Sequence, residues 1–188
     1  MKTLLLTLIC IQSLFALDLR PGDILLQPLH CRLCNLIEAQ TNSIYSHIGI
    51  VINENFDVAE AFIKVRKVSL KDFNTKTQKN QKIKVVRPRF SVANLEKTFD
   101  QKYSGLSYDS EFRWNNFDTK GLKIYCSELV FLLLEPFSSQ IPHPIPMAYD
   151  VNTDLWSKFF KGDIPFGEPG ISPAAFDNEV MFEYIGEI

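Results

Sequence analysis

Cys126 to Glu135, CSELVFLLLE, reads as a strongly apolar helix with a short polar opening, and Pro136 closes it because proline cannot continue the backbone ladder. Its first turn carries Cys126, in the segment Tyr125-Cys126-Ser127-Glu128-Leu129-Val130. A helix start favours a thiolate through the macrodipole and the free backbone N–H groups. Those same N–H groups can stabilise an oxyanion on a substrate carbonyl. The position would equally suit a cysteine that is merely small and buried.

Upstream of that helix the sequence alternates strands and short helices. Asp23 to Gln27 (DILLQ) is a short strand opened by the turn Pro21-Gly22, and Cys31 to Thr41 has helical spacing at Leu33, Leu36, Ile37 and Ala39. Ser46 to Asn53 (SHIGIVIN) and Val58 to Phe62 (VAEAF) are strands, and Ile63 to Val68 (IKVRKV) alternates as a strand with one wet face. Lys71 to Lys82 is a lysine-rich helix end or loop. Ile83 to Val86 returns to strand, Pro88 ends it, and Ser91 to Lys102 fits a helix capped by Ser91. An aromatic segment from Tyr103 to Trp114 turns at Gly105, and the proline-bearing tail from Ser138 is expected to wrap the domain. The pattern is that of an α+β domain.

With 188 residues the chain has room for one domain with a proper core. Hydrophobic residues at 46% and charged residues at 22% mark a folded globular protein and exclude disorder. A net charge of -2 and a pI near 5.9 leave no electrostatic footprint for nucleic acid. The 15 Phe and 6 Tyr make the core or a substrate groove rich in rings.

Residues 1–16 read as an address. Met1 and Lys2 give a positive end, Thr3 to Phe15 is an apolar run too short to span a bilayer comfortably, and Ala16 is a small residue at a cleavage point. Export is the expectation, with an uncleaved anchor as the alternative. If Cys10 leaves with this segment, Cys31, Cys34 and Cys126 remain, an odd number in an oxidising compartment. Cys31 and Cys34 form a C-x-x-C pair, read as a local disulfide or two packed cysteines ahead of a redox or metal role. His30 beside them makes three ligands, but no nearby fourth completes a structural zinc site.

Among three histidines, His47 in Ser46-His47-Ile48-Gly49-Ile50 is the best placed to act as a base, although a lone histidine also suits a core. His30 falls in the helix region and His143 among prolines. Glu60, in Val58-Ala59-Glu60-Ala61-Phe62, is a carboxylate that is costly to bury unless something uses it. Orienting His47 would be such a use.

Together these segments resemble the papain-like cell-wall hydrolases of the NlpC type. Cys126-Ser127-Glu128-Leu129-Val130, Gly22-Asp23, Ser46-His47-Ile48-Gly49-Ile50 and Glu60 stand where that family carries its motifs, but the cysteine comes last in the chain rather than first. That order, with the lead-in Tyr108-Asp109 to Trp114, resembles the circularly permuted YaeF/YiiX group of papain-like amidases. The likeness covers roughly Pro21 to Pro136. It departs at Glu128, where glycine is common, and at Glu60, where His, Asn or Gln is usual.

The resemblance implies a permuted papain-like fold, a small mostly antiparallel sheet or barrel packed against helices, formed by one domain over residues 17–188. It implies a cysteine hydrolase in which Cys126 attacks, His47 moves the proton and Glu60 orients His47. Tyr45, Tyr125 and Trp114 are expected to contact substrate, and no metal or cofactor is expected. A peptide of the cell envelope, such as a peptidoglycan stem, is the first substrate candidate; a lipid acyl group handled by the same thioester chemistry is the rival. A non-catalytic envelope-binding module is the reading from another class. The expected place is the periplasm or cell envelope, with peripheral association.

Overall fold

The computed structural model describes residues 17–188; the leader assigned to residues 1–16 lies outside the described residues. The chain opens with β1 (Ile24–Gln27), α1 (Arg32–Thr41), β2 (His47–Val51), β3 (Asp57–Phe62) and β4 (Lys64–Ser69). A short α2 (Leu70–Asn74) leads to β5 (Lys84–Pro88), α3 (Leu95–Lys102), β6 (Ser107–Tyr108), β7 (Asn116–Asp118) and β8 (Gly121–Ile124). Then come α4 (Cys126–Leu134), β9 (Ile145–Pro146), α5 (Thr153–Phe159), β10 (Pro169–Gly170), a 3-10 turn over Pro173–Phe176 and β11 (Phe182–Glu187).

Nine strands form one sheet in the order β11-β5-β1-β2-β3-β4-β6-β8-β7, antiparallel throughout except for the parallel pair β6 and β8. Strand period sorts its side chains. Ile24, Leu26, Ile48, Ile50, Ala59 and Ala61 face one way, into a core shared with Leu129, Val130, Leu133 and Leu134 of α4 and with Phe99 of α3. Leu25, Val51, Val58 and Val85 face the other way, onto Phe73 of α2 and Ile83. Helix α4, apolar beyond its first turn, is buried along nearly its whole length, which is why its sequence shows no polar stripe. It packs on β2 and β3, and that contact brings its first turn to the strands bearing His47 and Glu60.

Two sequence expectations need correcting. Ser91 does not cap a helix; α3 begins at Leu95 behind Asn94, which adopts the left-handed conformation at φ 55. The reason is tertiary: Val92 lies against Gly22 and packs on the core, which holds residues 91–94 outside the helix. The tail also does more than wrap. It supplies β11, hydrogen-bonded to β5 with a bulge between Tyr184 and Gly186, and the β9–β10 pair. Among the described residues no helix is long and apolar enough to cross a membrane.

Candidate active site

Strand register explains how His47 meets Glu60. Gly49 lies directly opposite Glu60 across the β2–β3 ladder, so His47, two residues along on the same face, is its diagonal neighbour. The absent side chain at Gly49 leaves that face free: a Cβ there would stand 2.6 Å from Val58 Cγ1 and 2.8 Å from Phe73 Cε2. The Glu60 carboxylate therefore reaches His47 Nε2 at 2.9 Å. Both are buried, His47 at 3% exposure and Glu60 at 1%.

The other carboxylate oxygen of Glu60 accepts from Arg66 Nε at 3.0 Å and from Lys76 Nζ at 3.2 Å. Arg66 faces Glu60 directly across the β3–β4 ladder, which puts its guanidinium on the same face. Burial pushes the Glu60 carboxyl up, but the His47 hydrogen bond and charge, with Lys76 and Arg66, more than reverse this and hold it at about 2. Phe62 and Phe73 flank the His47 ring, both with centroids 5.6 Å away, the first edge-on and the second stacked.

Cys126 is a free thiol, 6% exposed, at the first position of α4. It is a close neighbour of His47 and raises the imidazole pKa. With Nε2 committed to Glu60, Nδ1 is the ring nitrogen left for the thiol. Burial pulls the His47 pKa down, but Cys126 and Glu60 outweigh it and the net direction is upward. The N-cap Tyr125 makes no side-chain hydrogen bond to the helix start, so no cap side chain occupies the first N–H groups of α4.

Neighbouring hydrogen bonds fix both segments. Ser46 Oγ accepts from Leu29 N–H at 3.1 Å and donates to Glu38 Oε1 of α1 at 2.8 Å, anchoring the residue before His47. Ser127 Oγ donates to Ile171 O at 2.6 Å, and Ile171 N–H donates to Tyr125 Oη at 3.1 Å. The tail is thereby strapped across the start of α4 from both sides of the thiol. The Gly22-Asp23 pair stands elsewhere. Asp23 is buried at the opposite end of β1 from the pairing with His47, where Arg87 grips it at 2.6 and 2.9 Å.

Cys126 opens onto a cleft lined by Tyr108, Phe112, Tyr125, Met147, Tyr149, Trp156, Ile171 and Pro173, with Ile37, Gln40 and Thr41 of α1 on one wall. Most of this lining is apolar. Of the residues expected to contact substrate, Tyr125 lines the cleft; Trp114 and Tyr45 do not. Trp114 packs on Tyr125 and Phe131, at 6.4 and 5.1 Å between centroids. Tyr45 is buried in the main core, where large rings fill volume.

Several contributors were missed in the sequence. Arg66 and Lys76 lie in stretches read as a wet strand face and a solvated loop, and the only signal was their place near Glu60 along the chain. Met147, Tyr149, Trp156 and Ile171 come from the tail. Glu128 is fully buried on α4; its Oε1 accepts from Asn115 N–H at 3.0 Å, and its Oε2 has no partner among the described residues. Burial, with the charge of Asp109 adding to it, pushes the Glu128 carboxyl up to about 7.

The C-x-x-C pair is a disulfide between Cys31 and Cys34 at the start of α1. Among the described residues no group of three His, Cys, Asp or Glu side chains is placed to hold a metal ion.

Comparison with known proteins bears on this geometry. Residues 18–156 match the permuted papain-like amidase enzymes, the YaeF/YiiX, C92 family. The fold is similar to the crystal structure of the metalloprotein yiiX from Escherichia coli O157:H7, with a TM-score of 0.75 and 23% identity, covering 90% of this chain and 97% of that one. No curated protein matches the sequence.

Proposed function

We propose, since this chain belongs to the permuted papain-like amidases, that it hydrolyses an amide bond in a cell-envelope peptide through a thioester on Cys126. The enzyme class follows from the family; the roles of individual residues and the substrate are our reading. The observation that carries it is the buried His47–Glu60 pair at 2.9 Å, with the free thiol of Cys126 near enough to raise the His47 pKa.

In this reading His47 takes the Cys126 proton, and the thiolate attacks the amide carbonyl carbon. Backbone N–H groups at the start of α4, that of Cys126 foremost, hold the resulting oxyanion. His47 then gives its proton to the departing amine, leaving a thioester. Water, deprotonated by His47, attacks the thioester and releases the acid and the thiol. Glu60 keeps the ring in one tautomer and one orientation, as the carboxylate does in related triads. Export to the envelope, with peripheral association, belongs to the same proposal and rests on the sequence of residues 1–16.

One observation favours a second substrate class. The rings and aliphatic groups lining the cleft beside Cys126 suit an acyl chain as well as an apolar peptide side chain, so a lipid acyl amide or ester is the alternative. The test is to offer peptidoglycan fragments and acyl lipids side by side and follow the acyl-enzyme by intact mass. A mass increment on Cys126 that decays by hydrolysis supports the proposal and identifies the class by its size. Replacing Cys126 with Ala is expected to cut turnover by roughly 10^4-fold with the melting temperature nearly unchanged. Turnover that survives in the folded variant overturns the proposal.

A further inference from the structure

We infer that the Cys31–Cys34 disulfide is a thiol–disulfide exchange site, separate from the hydrolase site, that accepts electrons from an external thiol. Three observations converge on it. The two sulfurs differ in access: Cys31 is exposed, whereas Cys34 is 4% exposed. An incoming thiolate therefore meets the more accessible Cys31 first. Next, Cys31 is the N-cap of the ten-residue α1, and its Sγ accepts the Cys34 N–H at 3.0 Å. Finally, the first turn of α1 carries no acidic residue, and the exposed side chains on either side of Cys31 are His30 and Arg32.

These features stabilise the reduced state. A thiolate at Cys31 sits where the helix needs an acceptor and where its positive end and the Arg32 charge lie. A disulfide whose reduced form is stabilised in this way gives up its bond readily. Stapling does not account for the bond equally well. It closes a loop across only three sequence positions, and short loops constrain the unfolded chain least.

The exchange balances without a cofactor. A thiolate, such as that of glutathione or a dithiol protein, attacks Cys31 Sγ; the new S–S bond forms as the Cys31–Cys34 bond breaks, and Cys34 leaves as a thiolate that takes up a proton. A second thiolate attacks the donor's sulfur in the mixed disulfide. This releases the oxidised donor and the Cys31 thiolate, so two electrons pass from two thiols to the protein.

The test uses the full chain equilibrated in glutathione redox buffers, quenched with acid, alkylated, and mapped by mass spectrometry so that each cysteine is read separately. Reduction of Cys31 and Cys34 together in millimolar reduced glutathione, with the thermal transition retained, is the expected result. Cys34→Ser is expected to trap a glutathione mixed disulfide at Cys31, forming roughly ten times faster than the one at Cys34 in Cys31→Ser. A pair that stays oxidised in the folded protein overturns the proposal, as does faster trapping at Cys34. Should the serine variants fail to fold, reduction of the unaltered chain decides alone.

Discussion

Glu60 has the most at stake of any single residue, because its buried carboxylate answers to His47, Arg66 and Lys76 at once. Its pKa is held at about 2, below the ordinary 4.5. The unfolded chain therefore binds the extra proton first, and the stability Glu60 supplies is intact above 4.5 and drains as pH falls toward 2. His47 has the opposite sign: its raised pKa contributes stability that is full below its ordinary 6.5 and is lost as pH rises through the folded value. Glu60→Gln keeps an acceptor for the ring but strands two cations. It is expected to lower stability by roughly 3 kcal/mol and kcat by about 10^3-fold, with a measurable residual rate. A folded variant with no activity at all would contradict a purely orienting role.

Glu128 behaves differently from Glu60. Its folded value of about 7 exceeds the ordinary 4.5, so the fold favours its neutral form and loses stability as pH climbs between those values. The loss is on the order of 3 kcal/mol. Glu128→Gln is expected to flatten that slope, and melting curves across pH would show its advantage widening toward pH 7. An unchanged slope would mean that the carboxyl ionises freely in the fold.

Within elements, β2 depends on the empty position at Gly49. Gly49→Ala drives a methyl group into Val58 and Phe73, the latter being the ring stacked on His47. Overpacking of this kind costs roughly 1–3 kcal/mol, and the shift of Phe73 is expected to lower kcat as well; circular-dichroism melting and turnover on one preparation check both. A variant as stable and active as the parent would show that β2 shifts without cost.

The elements also show what the sequence could disclose. β1 to β5, α1 and α4 were legible because each follows its own pattern: apolar or alternating runs for strands, and an apolar run behind a polar first turn for the buried helix. Cys126, His47 and Glu60 stood out in the sequence as candidates by residue type, and the register of β2 against β3 brings two of them together. Local pattern failed where distant parts of the chain decide. Ser91 has the chemistry of a helix cap, but the packing of Val92 against Gly22 overrides it. β9 and β10 are two residues each, too short to show a period. In β11 the bulge breaks the alternation between Tyr184 and Gly186.

For the molecule as a whole, the tail is a structural member of the sheet. β11 covers β5, Phe182 is 1% exposed and lies 5.8 Å from Phe176 between ring centroids, and Ile188 exchanges both backbone hydrogen bonds with Ile83 at 2.9 and 3.0 Å. Removing residues 182–188 is expected to bare the β5 edge and lose roughly 3 kcal/mol or more from the Phe182 side chain and the pairing it anchors. Size-exclusion chromatography would then show association. A truncated chain that stays monomeric and melts like the parent would make β11 an ornament of the edge.

The order of the site along the chain carries a temporal meaning. A polypeptide leaving the ribosome delivers its amino-terminal part first, so the β2–β3 hairpin bearing His47 and Glu60 emerges before Cys126 has been made. The Ile171 strap that grips both neighbours of that thiol follows some forty-five residues later still. A half-made chain thus has both members of the His47–Glu60 pair and still lacks the thiol. The thiol is made next, and the residue that clasps both of its neighbours is made later still. In a chain still being made, the permutation therefore keeps the thiol and its clasp apart from the His47–Glu60 pair until synthesis is nearly done.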